Sequence, residues 1–387
     1  MERGILTTSV TVTPALLKWS RERALMTPQD LAQQMKVSEG KVIEWERTGS
    51  LTLSRLEKWA KRTRTPIGYL FLNEPPDEAL PIADFRTLVG TEERQASPDL
   101  LEAVHICQRR QAWFREFALY DQAEPLQFVG TWGTTRSHSD LAKRIRGSLS
   151  WDKKAREDLP SWEAALRELA ERIEGLGVLV MRSGIVGSNT RRKLDVDEFR
   201  GFALADDLAP LIFVNSADAR SAQMFTLIHE LAHIWLGESG ISDVAIRSQN
   251  QSERFCNQVA AEVLVPLEEF LQRWRKSDDQ YEEARQVARE FRVSTHVVLI
   301  RALGAQKVAY EQFQDLYRRA QEQSYRASSD GGDFYRTQGV RLGKRFTAAV
   351  VHSALEGRTT YTEAYRLLGV RKGSTFDRLA RSVGVIE

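Results

Sequence analysis

The sequence predicts an α+β protein that is mostly α, with an N-terminal helical bundle, a central domain that contains a small sheet, and a helical C-terminal region. Apolar residues recur at helical spacing through much of the chain. Short runs rich in β-branched and aromatic residues are confined to a stretch near the middle, and an unbroken apolar run with two histidines follows them. A chain of 387 residues is long enough for two or three domains with their own cores.

The first 75 residues predict a bundle of short helices. Thr27 offers an N-cap hydroxyl, Pro28 occupies the first helical position and Asp30 follows three residues after the cap, which together form a strong helix start signal. A turn at residues 36–38 ends this helix, and a second helix is expected over residues 38–47, capped by the serine of the turn. The pattern resembles the Xre-type helix-turn-helix domains of the lambda-repressor class, in which the second helix reads the major groove of DNA.

DNA binding is one of two interpretations of this bundle. Residues 11–75 carry 11 Lys and Arg against 7 Asp and Glu, a net charge of +4 that favours phosphate contacts. The best contact candidates are Gln29, Lys41 and Arg47. Three acidic residues on the presumed reading helix disfavour DNA binding, because carboxylates are costly next to phosphates: Glu39, Glu44 and Glu46. The alternative is a helical module that binds a protein or dimerises.

The most informative stretch spans residues 225–236, an apolar, helix-compatible run without Gly or Pro that contains an HExxH motif. Residues four apart lie on one face of a helix, so His229 and His233 can both point at a single ion. Glu230 follows the first histidine directly, where such sites place the base that takes a proton from metal-bound water. The motif predicts a zincin-like domain that binds Zn²⁺. The alternative is a buried helix whose two histidines are hydrogen-bonded in the core.

The third ligand is expected from a second helix, because catalytic zinc typically keeps three protein ligands and one open position. Residues 252–266 predict this helix, with Glu253 on the face that small alanines bring close to the first helix. Asn257 shares that face and could orient a ligand by a hydrogen bond. Glu262 is the rival ligand, although it lies about 180° away around the helix. Cys256 flanks the face and is expected to be a small buried apolar residue.

Three short runs before the HExxH motif predict a small sheet. They span residues 177–181, 199–203 and 211–214, and each is bounded by polar or turn residues. A sheet edge beside a zinc helix commonly binds an extended substrate by strand addition, which suits a protease.

Three segments together resemble the ImmA/IrrE family of zinc metallo-endopeptidases: residues 210–215, 225–233 and 253–257. The step of 24 residues from His229 to Glu253 also resembles the thermolysin-like arrangement of ligands. The element Asp84-Phe85-Arg86-Thr87, placed after a helix-turn-helix, resembles the longer, fused members of the family. The resemblance covers most of residues 10–310.

This resemblance implies limited proteolysis in the bacterial cytoplasm, often of a helix-turn-helix repressor. Zinc held by His229, His233 and Glu253 would activate water, with Glu230 as the base. The alternative is a non-proteolytic transcription regulator, or the antitoxin of a toxin–antitoxin pair, that uses the zinc fold as scaffold or sensor, because fused members are often found beside toxin genes. The intact Glu230 favours the enzyme, since a scaffold has no use for a general base. The sequence does not identify the group that stabilises the oxyanion.

The predicted organisation has five parts: an Xre-like helix-turn-helix domain (10–75), a Pro-rich connector (76–97), a zinc metallopeptidase domain (98–275), a helical region (276–325) and, after a flexible linker, a C-terminal helical domain (334–387). Two distant cysteines fit a reducing compartment, and no apolar run approaches membrane-spanning length. We therefore expect a cytoplasmic protein that does not contact membranes. Four further histidines stand alone and are expected in surface or core positions: His105, His138, His296 and His352.

Overall fold

The computed structural model describes residues 9–86, 96–218, 220–242, 248, 250–275, 277–326 and 341–386. The chain divides into two compact units, Met1–Pro81 with Gly90–Glu102, and Ile82–Val89 with Ala103–Glu387. The α+β, mostly α class is confirmed, because helices dominate the described residues and the second unit contains a small mixed sheet. The predicted linker at 328–333 lies outside the described residues.

The first unit is a helical bundle with a short hairpin. Its elements are β1 (Ser9–Thr11), α1 (Pro14–Arg23), α2 (Pro28–Met35), α3 (Glu39–Thr48), β2 (Ser50–Thr52), α4 (Leu53–Thr63) and a 3-10 helix (Ile67–Phe71). Strands β1 and β2 pair antiparallel, which was not predicted because strands of three residues leave no alternating pattern to detect. The core is closed around the fully buried Trp59, whose indole N–H donates to the hydroxyl of Ser20 at 2.8 Å.

Helices α2 and α3 are joined by a short turn at the place where the sequence predicts a helix-turn-helix. The start signal is confirmed as a capping box, in which the Asp30 N–H donates to the Thr27 hydroxyl at 3.1 Å and the Thr27 N–H donates to the Asp30 carboxylate at 2.9 Å. Lys36 ends α2 in the left-handed conformation, with φ of 58°. Ser38 occupies the N-cap position of α3, but the expected cap bond from its side chain is absent.

The second unit contains the sheet and the remaining helices. Its helices are α5 (Pro98–Tyr120, which begins in the first unit), α6 (His138–Ser148), α7 (Lys153–Glu157), α8 (Trp162–Gly175), α9 (Arg220–Leu236), α10 (Gln251–Leu264), α11 (Leu267–Arg273), α12 (Gln280–Phe291), α13 (Thr295–Gly304), α14 (Tyr310–Arg326), α15 (Lys344–Leu355), α16 (Tyr361–Leu368) and α17 (Gly373–Ser382). Among the described residues, no helix is both long and apolar enough to cross a membrane.

In the described part of the chain the sheet has five strands: β3 (Ala83–Asp84), β4 (Leu179–Ser183), β5 (Gly201–Leu204), β6 (Leu211–Asn215) and β7 (Gly240–Ser242). Their spatial order is β3-β7-β5-β6-β4. Strands β4 and β6 are parallel, β5 is antiparallel to both β6 and β7, and β3 is parallel to β7. The first two predicted strands begin two residues too early. Before β4 the reason is Gly177, whose φ of 101° is incompatible with a strand start.

Helix α9 packs on the sheet and is buried along most of its length, so it links the sheet to the helices on its other side. Helix α10 packs against α9 and also contacts α6 and α13. Because α9 and α10 face each other in the core, polar side chains on their contacting faces are held in a dry interior.

Candidate metal centre

Three predicted ligands converge between α9 and α10. His229 and His233 lie one turn apart on α9, and Glu253 lies in the first turn of α10. The Nε2 atom of His233 is 3.1 Å from Nε2 of His229 and 3.0 Å from Oε1 of Glu253, and Nε2 of His229 is 3.4 Å from Oε2 of Glu253. All three side chains are buried, so the cluster is shielded from bulk water.

These separations fit a metal ion. Ligand atoms about 2.0–2.1 Å from a tetrahedral zinc lie about 3.3 Å from one another, close to the three distances between His229, His233 and Glu253. Two imidazole nitrogens and a carboxylate oxygen are also the donor set of many catalytic zinc sites. The cluster could therefore hold a metal ion, and its chemistry suits zinc.

Two side chains that the sequence did not single out hold Glu253 in place. Asn250 is the N-cap of α10, and its side-chain oxygen accepts the N–H groups of Ser252 at 2.8 Å and Glu253 at 3.3 Å. Ser242 at the end of β7 donates its hydroxyl to Glu253 Oε1 at 3.1 Å. Burial by itself would raise the pKa of Glu253, but the adjacent His229 and His233 lower it below its usual range. The carboxylate is therefore kept in the charged form that binds metal.

Glu238 is a further residue of the site that sequence reasoning missed. Its Oε2 lies 3.2 Å from Nδ1 of His233, and its Oε1 accepts the hydroxyl of Ser252 at 2.8 Å. Although burial opposes it, hydrogen bonds from His233 and Ser252 lower the pKa of Glu238. A carboxylate on the second nitrogen of a ligand histidine fixes the ring orientation and its tautomer. An acidic residue just beyond the HExxH helix is a signal that could have identified it.

Glu230 is fully buried beside the ligands. Neither of its carboxylate oxygens has a hydrogen-bond partner among the described residues. Burial raises its pKa to about 8. Gly201 in β5 makes room for this side chain, because a Cβ at that position would lie 2.7 Å from Oε1 of Glu230. A buried carboxylate beside the candidate ligands is placed to accept a proton from a water molecule held there.

The other sequence candidates lie elsewhere or stay untested. Glu262, the rival ligand, does not join the cluster, because it pairs with Arg301 at 2.9 Å and accepts the N–H of Leu267 at 3.3 Å. Asn257 is half-buried one turn beyond Glu253, and its predicted role in orienting a ligand stays a prediction. Cys256 is a buried free cysteine, as expected of a small core residue. Of the four lone histidines, His296 is buried against Tyr317.

The candidate DNA contacts belong to the first unit. Gln29, Lys41 and Arg47 are all exposed. Lys41 forms an ion pair with Glu44 at 2.8 Å, so its charge is partly neutralised. Glu46 is turned inward to Arg21, with Oε1 2.6 Å from Nε, which removes one of the acidic groups that opposed DNA binding.

An HExxH helix, a carboxylate from the next helix and a small mixed sheet behind them are the elements of a zincin-like domain. Residues 173–303 match the family model for the IrrE N-terminal-like domain, peptidase M78, which supports the resemblance to the ImmA/IrrE family for this segment. Residues 342–382 match a domain of unknown function (DUF8813) that contains α15 to α17. No curated protein sequence matches the chain.

Proposed function

We propose that the protein is a zinc-dependent endopeptidase fused to a DNA-binding domain, and that it cleaves a regulatory protein, with a helix-turn-helix repressor as one candidate substrate. The observation that carries this proposal is the convergence of His229, His233 and Glu253 next to Glu230, a buried carboxylate without a hydrogen-bond partner in the part of the chain that the structure describes. A site built only to stabilise the fold has no need for that fourth group, because an unsatisfied buried carboxylate destabilises the folded state.

The chain supplies positioning and proton transfer for this chemistry. His229, His233 and Glu253 would hold the ion, while Glu238 and Ser242 orient two of these ligands. Zinc, when bound, polarises the peptide carbonyl and lowers the pKa of water. Glu230 takes the proton of the attacking water on its carboxylate and delivers it to the leaving amine. The buried surroundings exclude bulk water and strengthen every electrostatic contact in the site.

DNA binding by the first unit is the second part of the proposal. The two helices α2 and α3 with the short turn between them support it, together with the exposed Gln29 and Arg47 and the inward pairing of Glu46. The competing possibility, a protein-binding or dimerising bundle, is separated from DNA binding by the salt dependence of affinity.

A specific observation also favours a second candidate function. The ligands and Glu230 are at most 1% exposed, so in this conformation the site is closed to a polypeptide. A closed metal site suits a transcription regulator or an antitoxin that uses zinc as scaffold or sensor and binds a toxin partner. The two candidate functions differ in whether Glu230 is needed as a base, since only the peptidase requires proton transfer.

Glu230→Gln tests that difference, because it keeps the size of the side chain and removes the base. We expect the variant to have a zinc content and a Tm near those of the wild type. Its cleavage of co-encoded proteins, measured by mass spectrometry of the new termini, should fall by about two or more orders of magnitude. The matched control is Glu290→Gln, at an exposed position on α12, which should cleave like the wild type. Undiminished cleavage by Glu230→Gln contradicts the mechanism, and an unchanged biological effect without cleavage supports the regulator or antitoxin.

A further inference from the structure

The closed metal site requires that some part of the chain moves before a polypeptide can reach it. His229, Glu230 and Glu253 are 0% exposed, and His233 is 1% exposed. A scissile carbonyl must come within bonding distance of both the ion and the water held near Glu230. The covering segment is therefore part of the function of the site.

The sheet indicates which segment this is. Gly201 in β5 lies against Glu230, and the edge of β5 that faces away from β6 is paired with β7. The edge of β7 is in turn paired with β3, where Ala83 and Asp84 are opposite Gly240 and Ile241. On the side of the metal cluster, the edge strand of the sheet is therefore β3, which has only two residues. We call residues 82–86 the strap.

The strap places an aromatic ring directly on a metal ligand. Phe85 stacks on the imidazole of His233, with ring centroids 5.3 Å apart and planes 14° apart. Its backbone N–H donates to the carbonyl of Ile241 at 3.0 Å. Gly240 provides the space, since a Cβ there would lie 2.2 Å from the Phe85 ring. The fit shows that the position is shaped for an extended segment with an aromatic side chain.

The strap is a short segment at the edge of the sheet. Ala83 and Asp84 are exposed, and Phe85 is only half-buried. Arg86 connects the strap to the rest of the unit, because its buried guanidinium lies 3.6 Å from Glu198. Its Nε also donates to Oδ1 of Asp84 at 2.7 Å, which is a bond within the strap. Very short edge strands with exposed residues open at lower free energy than the core of a sheet.

We propose that the strap is a displaceable cover, and that an extended protein segment with an aromatic residue takes its place on β7 and above His233. If the proposed function is correct, this segment is a substrate that is then cleaved, so the cleavage step of this inference rests on the proposed function. Binding itself does not depend on catalysis. Main-chain hydrogen bonds to β7 provide affinity, and the space above Gly240 selects the aromatic side chain.

A fluorescein-labelled peptide with the strap sequence, Leu80 to Arg86, tests the proposal by fluorescence anisotropy on the full-length, zinc-loaded protein. Phe85→Ala weakens the internal strap, so this variant should bind the peptide at least about tenfold more tightly than the wild type does. The matched control is Phe128→Ala, which truncates a half-buried ring in contact with Trp235 of α9, with ring centroids 5.1 Å apart, and should behave like the wild type. A peptide with alanine in place of its phenylalanine should bind neither.

Release of zinc to a chromogenic chelator gives an independent readout of the cover. Phe85→Ala should release zinc about tenfold faster than the wild type and Phe128→Ala, with unchanged circular dichroism. If Phe85→Ala does not fold, Arg86→Gln loosens the same strap and should show the same two effects.

Equal peptide binding and equal zinc release in wild type, Phe85→Ala and Arg86→Gln would overturn the strap proposal. Tight binding by Phe85→Ala without cleavage of any protein supports the strap and contradicts the peptidase. If Glu230→Gln loses cleavage but no variant binds the peptide, the strap proposal is contradicted and the peptidase proposal is not.

Discussion

Glu238 contacts the imidazole of His233 through Nδ1, with its Oε2 3.2 Å away, while the other ring nitrogen faces Glu253 at 3.0 Å. The ring is thus fixed between two carboxylates, one that shares the candidate metal site and one outside it. Such outer carboxylates orient a ligand histidine and raise its basicity, so they contribute to metal affinity without touching the ion.

The first prediction concerns this outer contact. Glu238→Gln should weaken zinc affinity by about 10- to 100-fold, because an amide neither fixes the tautomer nor supports the basicity of His233 as a carboxylate does. Competition with a chelator of known affinity measures the effect. Glu290→Gln, on the surface of α12, serves as the control. Unchanged affinity in Glu238→Gln would show that the contact is incidental.

Gly201 provides a test of how Glu230 is positioned. In Gly201→Ala, the new Cβ would lie 2.7 Å from Oε1 of Glu230 and 2.9 Å from the backbone oxygen of Phe213, so the carboxylate has to shift. We expect loss of cleavage with zinc retained, and a fall of about 1–3 kcal/mol in the free energy of unfolding. Gly147→Ala, where nothing lies within 4 Å of the added methyl group, should leave cleavage unchanged, and it should not lower the free energy of unfolding, because alanine favours a helix more than glycine does. Full cleavage by Gly201→Ala would contradict the position assigned to Glu230.

His296 should make stability depend on pH. Burial, with a smaller contribution from Arg200, lowers its pKa to about 4, compared with about 6.5 in an unfolded chain. Below pH 6.5 the unfolded chain binds a proton that the folded protein rejects until about pH 4, so stability is lost as the pH falls through this window.

The loss from this group between pH 7 and pH 5 is about 2 kcal/mol. Denaturant titrations should therefore show a shallower pH dependence in His296→Leu than in the wild type. Replacement of the exposed His352 by Gln should keep the wild-type dependence. Equal slopes in wild type and His296→Leu would mean that His296 is not held neutral by the fold.

DNA binding by the first unit predicts a defined change in affinity for each substitution in α2 and α3. Arg47→Ala should reduce affinity, and the slope of log affinity against log salt should fall by about 0.9 for each phosphate that the variant no longer neutralises. Because Lys41 is paired with Glu44 at 2.8 Å, Glu44→Gln should raise affinity by releasing that charge. Gln29→Ala tests an interaction that does not depend on charge. Affinity that is independent of salt, or unchanged by Lys41→Ala combined with Arg47→Ala, would support a protein-binding bundle.

Sequence reasoning succeeded where the information is local. The spacing of His229 and His233 within one helix, and the unbroken helical pattern around Glu253, placed these side chains on faces that the structure brings together. The capping box at Thr27 is equally local and was confirmed. In each case neighbours within a few residues decide the conformation.

The missed features depend on contacts between distant parts of the chain. Strands β3 and β7 have two and three residues, too few for a periodic pattern, and they pair only because tertiary structure brings them together. The stacking of Phe85 on His233 joins residues far apart in sequence, so it could not be derived from spacing. Glu238 was missed because it lies beyond the end of α9, where Gly237 turns the chain with φ of 73°.

The most direct test of the account is the zinc content of folded protein, purified by size exclusion, in two matched variants. Glu253→Gln replaces a proposed ligand with a poor one, whereas Glu262→Gln changes a carboxylate on the same helix that pairs with Arg301. Metal analysis should give about one zinc per chain in the wild type and in Glu262→Gln, and far less in Glu253→Gln. Zinc that is retained in Glu253→Gln and lost in Glu262→Gln, or absent from the wild type, would contradict the site formed by His229, His233 and Glu253.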